Sequence, residues 1–366
     1  MPTPYQLDFF DALTDYFSLT VVYFTAREND RQWKLPTTSE KYKTILLENN
    51  FIARKVQRFV SSFHFSSGIK KVIRQSEADI ALVNGTYWSP NVLLALRLNK
   101  LKGHKTFYWA EPVFPSDSNS KKKIKKIFLS LVFRYADMLL AIGKKAVECY
   151  RDFGYTKPIH NIPYNINNNL FETRNLDEQV LAQMQHEYKR NGELLFLSSG
   201  SLVRRKGMDT LINAFLLLPE LHNAKLIIVG DGSEKEQLVS LAGGDIRIFF
   251  VGFQDKEKIP YWFNLADVFL FASRYDGWAL VVNEAMAAGK AIVCSYETGA
   301  AYDSLVHRQN ALLYHADDTE GFASAISELS KDKKLVSLLS ANAYQTGINL
   351  SSASMAKKLY DIYRVD

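Results

Sequence analysis

The stretch DVFLFASRYDGWALVVNEAMAAGKAIVCS, Asp267 to Ser295, holds several kinds of local order. DVFLFAS is short, apolar and rich in Val, Phe and Leu, the pattern of a strand covered on both faces. LVVNEAMAA contains no breaker and reads as a helix, and KAIVCS reads as a second strand. Gly277, in the turn between strand and helix, lets the chain pass close to a ligand. Strand, turn, helix and strand in this order form one unit of an α/β sheet. The turn and the helix carry Asp276 and Glu284, eight positions apart. Helix capping would account for Asp276 but not for Glu284, whose neighbours Val282, Ala285 and Met286 are apolar. Two carboxylates that hold the hydroxyls of one bound molecule account for both, because carboxylate oxygens accept strong charge-assisted hydrogen bonds.

Outward from this stretch the same unit recurs. ELLFLSSG, AKLIIVG and IRIFFVG are further strand-like runs, with MDTLINAFLLL, EKEQLVSLA and KEKIPYWFNLA as helices between strands. Such alternation predicts a parallel sheet with helices on both faces, which binds ligands at the carboxyl ends of its strands. The first half alternates less cleanly, with SLTVVYFTA, ADIALVNG, KTFYWAEP and MLLAIG as strands. HNIPYNINNNLFETRN, His160 to Asn175, is rich in Asn and reads as a linker. The tail SASMAKKLYDIYRV has helical periodicity. The expected fold is α/β, with two Rossmann-like domains facing across a cleft. Residues 1–165 form the first, 166–345 the second, and 346–366 a helix that returns to the first. The helix DFFDALTDYF follows PTPYQ with no strand before it, so the first domain's first strand is missing from the expected pattern: either the protein starts upstream or the first sheet lacks a central strand.

Three turns of the second domain converge at the strand ends. In GSLVRRKG, Gly200 and Ser201 open a turn whose Arg204, Arg205 and Lys206 are placed to neutralise a diphosphate beside helix amides. VGDG alone does not match a dinucleotide fingerprint. VGF supplies Gly252 and Phe253, with backbone to pair with a nucleobase. The amides of Trp278, Ala279 and Leu280 are expected as helix-start donors to phosphate or sugar oxygens.

Composition bounds the rest. Hydrophobic residues make up 47% and aromatics 13%, which fits a globular chain. Two cysteines, Cys149 and Cys294, make neither a disulfide framework nor a metal cluster, and a reducing compartment is expected. No metal site is expected, since no Asp-x-Asp motif and no His/Cys cluster occurs. No apolar run is long enough to span a membrane, and MPTPYQLDFFDALTDYF lacks the pattern of a secretory signal. Net charge is +6, but residues 1–165 hold 25 Lys+Arg against 14 Asp+Glu, so the first half is the basic one. A basic half suits an anionic surface.

SKKKIKKIFLSLVFRYADMLLAI places Lys121, Lys122, Lys123, Lys125 and Lys126 ahead of an apolar run. Ile124, Ile127, Phe128, Leu131 and Tyr135 share one helical face, and Leu129, Val132 and Phe133 add apolar surface beyond it. Lysines beside surplus apolar surface point to docking on anionic lipid. IARKVQRFVSSFHFSSGIKKVIR, Ile52 to Arg74, repeats the theme. Nucleic acid is not an expected partner, because no reader fold is present. Glu111 in FYWAEPVFP and Tyr5 are the expected acceptor-binding residues, and His104 reads as a surface residue.

From Gly200 to about Tyr314 the chain resembles the donor-binding domain of retaining GT-B glycosyltransferases, specifically glycosyltransferase family 4, the group 1 type. The family's pair of spaced acids is matched by Asp276 and Glu284 within YDGWALVVNEAMAAG, its phosphate-binding strand and helix by GSLVRRKGMDTLINAF, and the next segment by KAIVCSYETGAAYDSLVHRQNALLY. The resemblance implies that Lys206 and an arginine hold the donor diphosphate. It implies that Glu284 binds ribose hydroxyls and Asp276 those of the transferred sugar. It further implies retention of anomeric configuration, a nucleotide-diphosphate sugar as co-substrate, and neither metal nor other cofactor. The acceptor it suggests is a lipid-linked glycan of a bacterial envelope polysaccharide, such as lipopolysaccharide or capsule. The protein would then be cytoplasmic, peripheral on the inner face of the cell membrane. Two residues depart from the family pattern: Ser201 stands in place of an arginine, and Asp276 in place of a glutamate. A sugar-nucleotide epimerase on the same fold and a catalytically silent scaffold remain the alternative readings.

Overall fold

The computed structural model describes residues 3–25, 38–47, 51–56, 63, 65–113, 118–189 and 192–365. Two compact units divide the chain: Met1–Pro163 with Ala356–Asp366, and Tyr164–Met355.

The first unit contains β1 (Thr20–Tyr23), β2 (Lys43–Leu46), β3 (Ile80–Asn84), β4 (Lys105–Ala110), β5 (Met138–Ala141) and β6 (Ile159–Asn161). Among the described residues, β3 to β6 form a parallel sheet in chain order, and β1 pairs with β2 in a separate parallel ladder. β2 and β6 were not expected. IHN is too short and polar to read as a strand, yet its residues Ile159 to Asn161 register against Leu139 to Ala141 of β5. The chain's first element here is the helix Pro4–Leu13. Phe9 of that helix meets Trp109 at 5.2 Å, and Gln6 Nε2 donates to Asn84 Oδ1 at 3.1 Å, so it lies by the carboxyl ends of β3 and β4. The final helix, Ser352–Val365, brings Tyr360 against Tyr16 and Phe17 of this unit. His104 is buried, with Nδ1 2.7 Å from Asn99 Oδ1, and burial pushes its imidazole below the usual range. It is therefore a core residue of the turn into β4 and not a surface one.

The second unit holds β7 (Leu194–Ser199), β8 (Ala224–Val229), β9 (Ile248–Gly252), β10 (Val268–Phe271), β11 (Ala291–Ser295) and β12 (Leu312–Tyr314). All pair in parallel, in the order β12-β11-β10-β7-β8-β9. β12, three residues within NALLY, escaped the sequence reading. Opposite faces of the sheet are separately covered. Phe196 of β7 meets Phe215 of helix Met208–Leu216 at 5.8 Å, and Phe269 of β10 meets Phe263 of helix Ile259–Leu265 at 5.3 Å. Val268 pairs with Phe196, and Phe269 with the next residue, Leu197, so those two phenylalanines face opposite ways. Each such buried ring contributes about 1.5–3 kcal/mol. The strand order reverses between β7 and β10, and a doubly wound sheet binds its ligand outside the carboxyl ends at that point.

Two boundaries differ from expectation. The break falls at Pro163/Tyr164, and the tail joins the first unit only from Ala356. Residues up to 355 stay with the second unit because Ser351 bridges Ile166 and helix Lys333–Ile348 packs on Leu280–Ala287 and β11. Nor is the Asn-rich segment a solvated linker. It contains the last residues of β6 and two 3-10 turns, Asn165 and Phe171 are buried, and Asn168 Nδ2 donates to the Gly347 carbonyl at 3.0 Å. Asparagine side chains here satisfy backbone groups of irregular structure, so polar composition did not mean solvent.

Candidate functional site

At the switch point, the segment leaving β7 folds against the end of β10. Arg204–Lys206 form a 3-10 turn and Met208–Leu216 the helix, so the three cations precede the helix and do not enter it. Gly207 joins the two at φ 65°, where a Cβ would lie 1.9 Å from the Ala272 carbonyl oxygen. No side chain fits there, and this contact seats the turn on β10. Lys206 is thereby buried, with its ammonium 4.9 Å from the Phe271 ring centroid and 2.5 Å from Asp276 Oδ2. Arg205 Nη1 donates to the same oxygen at 3.3 Å and to the Tyr275 carbonyl at 3.2 Å. Arg205 is half exposed, so its guanidinium faces solvent while Lys206 does not.

Asp276 Oδ1 accepts the Trp278 amide at 3.2 Å. That amide, expected as a donor to ligand, is thus used inside the protein. The Trp278 ring is core, with Nε1 donating to Asn283 Oδ1 at 2.9 Å. The turn closes through Gly299, whose added Cβ would meet the Gly277 carbonyl oxygen at 2.1 Å. Ala279 follows at φ 73° and ψ 78°, a left-handed conformation that β-carbon sterics disfavour, and immediately precedes helix Leu280–Ala287.

Glu284 lies one turn into this helix and is half-buried. Among the described residues its carboxylate has no hydrogen-bond donor. Burial pushes it up to about 7, with Lys256 the charge that opposes the shift. Lys256 belongs to the segment after β9 that also carries the exposed Phe253, and β9 itself ends at Gly252, at φ 72°. The Gly252 carbonyl accepts the Gly230 amide at 2.8 Å and so is already occupied by the protein. Gly200, Ser201 and Arg204 line the turn after β7, with Ser201 and Arg204 exposed. The Arg204 carbonyl, not its side chain, enters the hydrogen bonding at the turn.

Sequence reasoning missed Arg274. Its guanidinium donates to Asp209 Oδ1 and Oδ2 at 2.9 and 2.8 Å, to Asp317 Oδ1 at 2.7 Å and to the Arg204 carbonyl at 2.6 Å. Ser273 Oγ donates to the Arg205 carbonyl at 3.0 Å. An arginine beside Asp276 was the available signal, but its carboxylate partners lie 65 and 43 positions away. Among the described residues no group of His, Cys, Asp and Glu is arranged to hold a metal ion.

In the first unit, Tyr5 and Glu111 are both half-buried and lie near the carboxyl ends of β3 and β4. The Glu111 carbonyl accepts Tyr150 Oη at 2.8 Å. Lys121, Lys122, Lys123 and Lys126 are exposed on helix Asn119–Tyr135, and Lys125 is partly covered. The apolar faces of that helix are reversed from expectation: Leu129 and Val132 enter the core, and Ile124, Ile127 and Leu131 stand exposed at 55%, 63% and 37%. Ile52 to Arg74 lies partly outside the described residues; within it, helix Gly68–Gln75 carries Lys70, Lys71 and Arg74.

Residues 181–346 match the family model described as glycosyl transferases group 1. The match lies within the second unit. LpsE of Rhizobium meliloti, a lipopolysaccharide core biosynthesis glycosyltransferase, is 33% identical over 153 residues, 41% of this chain and 43% of LpsE. An N-acetylgalactosaminyltransferase of Campylobacter jejuni, named for an N-acetylgalactosamine-N,N'-diacetylbacillosaminyl-diphospho-undecaprenol acceptor, is 25% identical over 223 residues, 60% of this chain and 57% of that one. In such curated relatives the match spans about half their length. Over the whole chain the fold is GT-B: Anabaena HepE, solved with UDP, superposes with a TM-score of 0.78 at 16% identity, covering 100% of this chain and 97% of HepE. The likeness to HepE is one of fold alone.

Proposed function

We propose that this protein transfers a sugar from a nucleoside-diphosphate donor to a lipid-linked glycan acceptor. The observation that carries the reading is the Glu284 carboxylate, half-buried one turn into the helix that follows the Asp276 turn and without a hydrogen-bond donor among the described residues, while Lys206 and Arg205 gather on Asp276. A buried carboxylate without donors is costly, and a ligand's hydroxyls supply what the protein withholds. In this reading Glu284 receives the ribose hydroxyls, Phe253 lies by the base, and Arg205 and Lys206 meet the diphosphate. As the anomeric bond breaks, charge grows on the leaving diphosphate, and these two cations stabilise it in place. Asp276, bonded on both oxygens but with acceptor capacity left, takes a hydroxyl of the transferred sugar. Configuration is retained, and no metal takes part. HepE's UDP and the lipid-diphosphate acceptor in the Campylobacter enzyme's name support the donor and acceptor classes.

The first unit supplies the acceptor side, with Tyr5 and Glu111 at its strand ends. Ile124, Ile127 and Leu131 among the lysines of helix Asn119–Tyr135 dock it on anionic lipid, each lysine adding about 1 kcal/mol near the surface. No helix among the described residues is long and apolar enough to cross a membrane. In this reading the lysine-bearing helix holds the protein as a peripheral enzyme on the cytoplasmic face. A thermal-shift screen of nucleoside diphosphates, followed by assays for nucleotide-sugar hydrolysis, tests the donor assignment. Stabilisation by at least one diphosphate is expected; stabilisation by none refutes it.

A further inference from the structure

The strongest feature of the ligand face outside the donor-contacting residues is the arginine that ties its loops together. We propose that Arg274 is the positioning residue of the phosphate-binding turn, acting on the diphosphate only through Arg205 and Lys206. This rests on the donor assignment above.

Arg274 reaches three strand-end segments at once. Through Asp209 and the Arg204 carbonyl it grips both sides of the turn after β7, and through Asp317 it ties that turn to the segment after β12. Its own amide donates to the Arg205 carbonyl at 2.8 Å, so side chain and backbone hold consecutive residues of the turn. Four of the five guanidinium donors are thereby satisfied by protein oxygens. Two carboxylates neutralise its charge, which leaves Arg274 poorly suited to hold phosphate itself. Hydrogen bonding to Asp209 holds the guanidinium well above the usual arginine range, so it stays charged at any working pH. The planar fork matters: lysine offers a point charge and cannot bridge Asp209 bidentately while also reaching the Arg204 carbonyl. Without the clamp, Gly207 still seats one end of the turn, and the residue-274 amide and Ser273 Oγ still hold the Arg205 carbonyl, but the Arg204 carbonyl and Asp209 are released and the two cations lose their register.

Arg274→Lys is the test, with Asp317→Asn as a milder variant at an exposed acid. Binding of UDP against UMP and of GDP against GMP is measured by calorimetry at pH 8, using the pair whose diphosphate binds the wild type. A positioning role predicts that Arg274→Lys lowers the diphosphate-to-monophosphate affinity ratio about tenfold, and Asp317→Asn about threefold. In an Arg205→Ala background the effect of Arg274→Lys on that ratio shrinks, because the group it positions is gone. A purely structural arginine would lower melting temperature and weaken both ligands equally, and an unchanged ratio in both variants overturns the proposal alone. A wild type that binds neither diphosphate overturns the donor assignment and this proposal together.

Discussion

Replacing Glu284 by Gln keeps the side chain's shape and removes its charge, which isolates the carboxylate's part in donor binding. In the ligand-free protein this carboxyl is pushed up to about 7 by burial, against an ordinary 4.5. Holding it charged there costs about 3 kcal/mol relative to an exposed glutamate. Its raised value means the folded state binds the proton more tightly than the unfolded chain. That contribution to stability is present at low pH and falls away as pH rises from the ordinary value through 7. Ligand hydroxyls hydrogen-bond to the charged form and draw the value back down, so binding expels a proton. A nucleotide sugar such as UDP-glucose is the right probe, because its diphosphate is esterified at both ends and has no ionisation near pH 6 to confuse the result. Between the bound-state value and 7, affinity should climb by up to about tenfold per pH unit, then level off. Calorimetry at pH 6 in buffers of different ionisation enthalpy should register about one proton released per ligand. In Glu284→Gln the release and the slope should vanish, with affinity at pH 8 lower by about 10- to 100-fold. Wild type and variant releasing the same number of protons would refute the reasoning, because the titrating group would then lie elsewhere.

Lys206→Ala should weaken diphosphate binding by about 10- to 100-fold and also lower melting temperature, since it strips Asp276 of a buried partner; calorimetry and thermal unfolding check the pair of effects. Gly207→Ala should prevent the turn from seating on Ala272, at a cost of several kcal/mol or loss of soluble protein, read by denaturant unfolding. Changing Lys121, Lys122 and Lys123 to Glu should release the protein from anionic vesicles without altering nucleotide binding, and unchanged co-sedimentation would count against docking through this helix.

The doubly wound sheet was legible because its central strands are buried on both faces and advertise themselves as apolar runs between glycine turns. β2, β6 and β12 were not, because short edge strands take their identity from a partner and not from composition. Asp276 and Glu284 lie where their spacing from β10 puts them, one in the turn and one a turn into the helix that follows. Arg274 was hidden because its role depends on Asp209 and Asp317, which approach it only after three crossovers close. Trp278 and Ile124 misled in opposite ways. The tryptophan's place in the ligand turn concealed a core ring, whereas the helix Asn119–Tyr135 has two apolar stripes, and only the neighbouring strands decide which turns inward.

The departure of Asp276 from the family's glutamate acquires a physical reason from the turn it occupies. Oδ1 accepts the amide two residues ahead, and that closure suits a short acid; one more methylene would carry the carboxylate past its own Trp278 amide. With the side chain folded back, Oδ2 is left facing Lys206 and Arg205, so acid and cations neutralise one another while no donor is bound. An arriving diphosphate must compete with Asp276 for Lys206, and the freed carboxylate oxygen then needs a new donor. In the proposed reaction the hydroxyl of the transferred sugar is the group at hand. Binding of phosphate and binding of sugar are therefore linked through one oxygen atom. A donor that lacks the sugar leaves that oxygen with fewer partners than it had before, which favours the intact nucleotide sugar over the bare diphosphate by more than the sugar's own contacts.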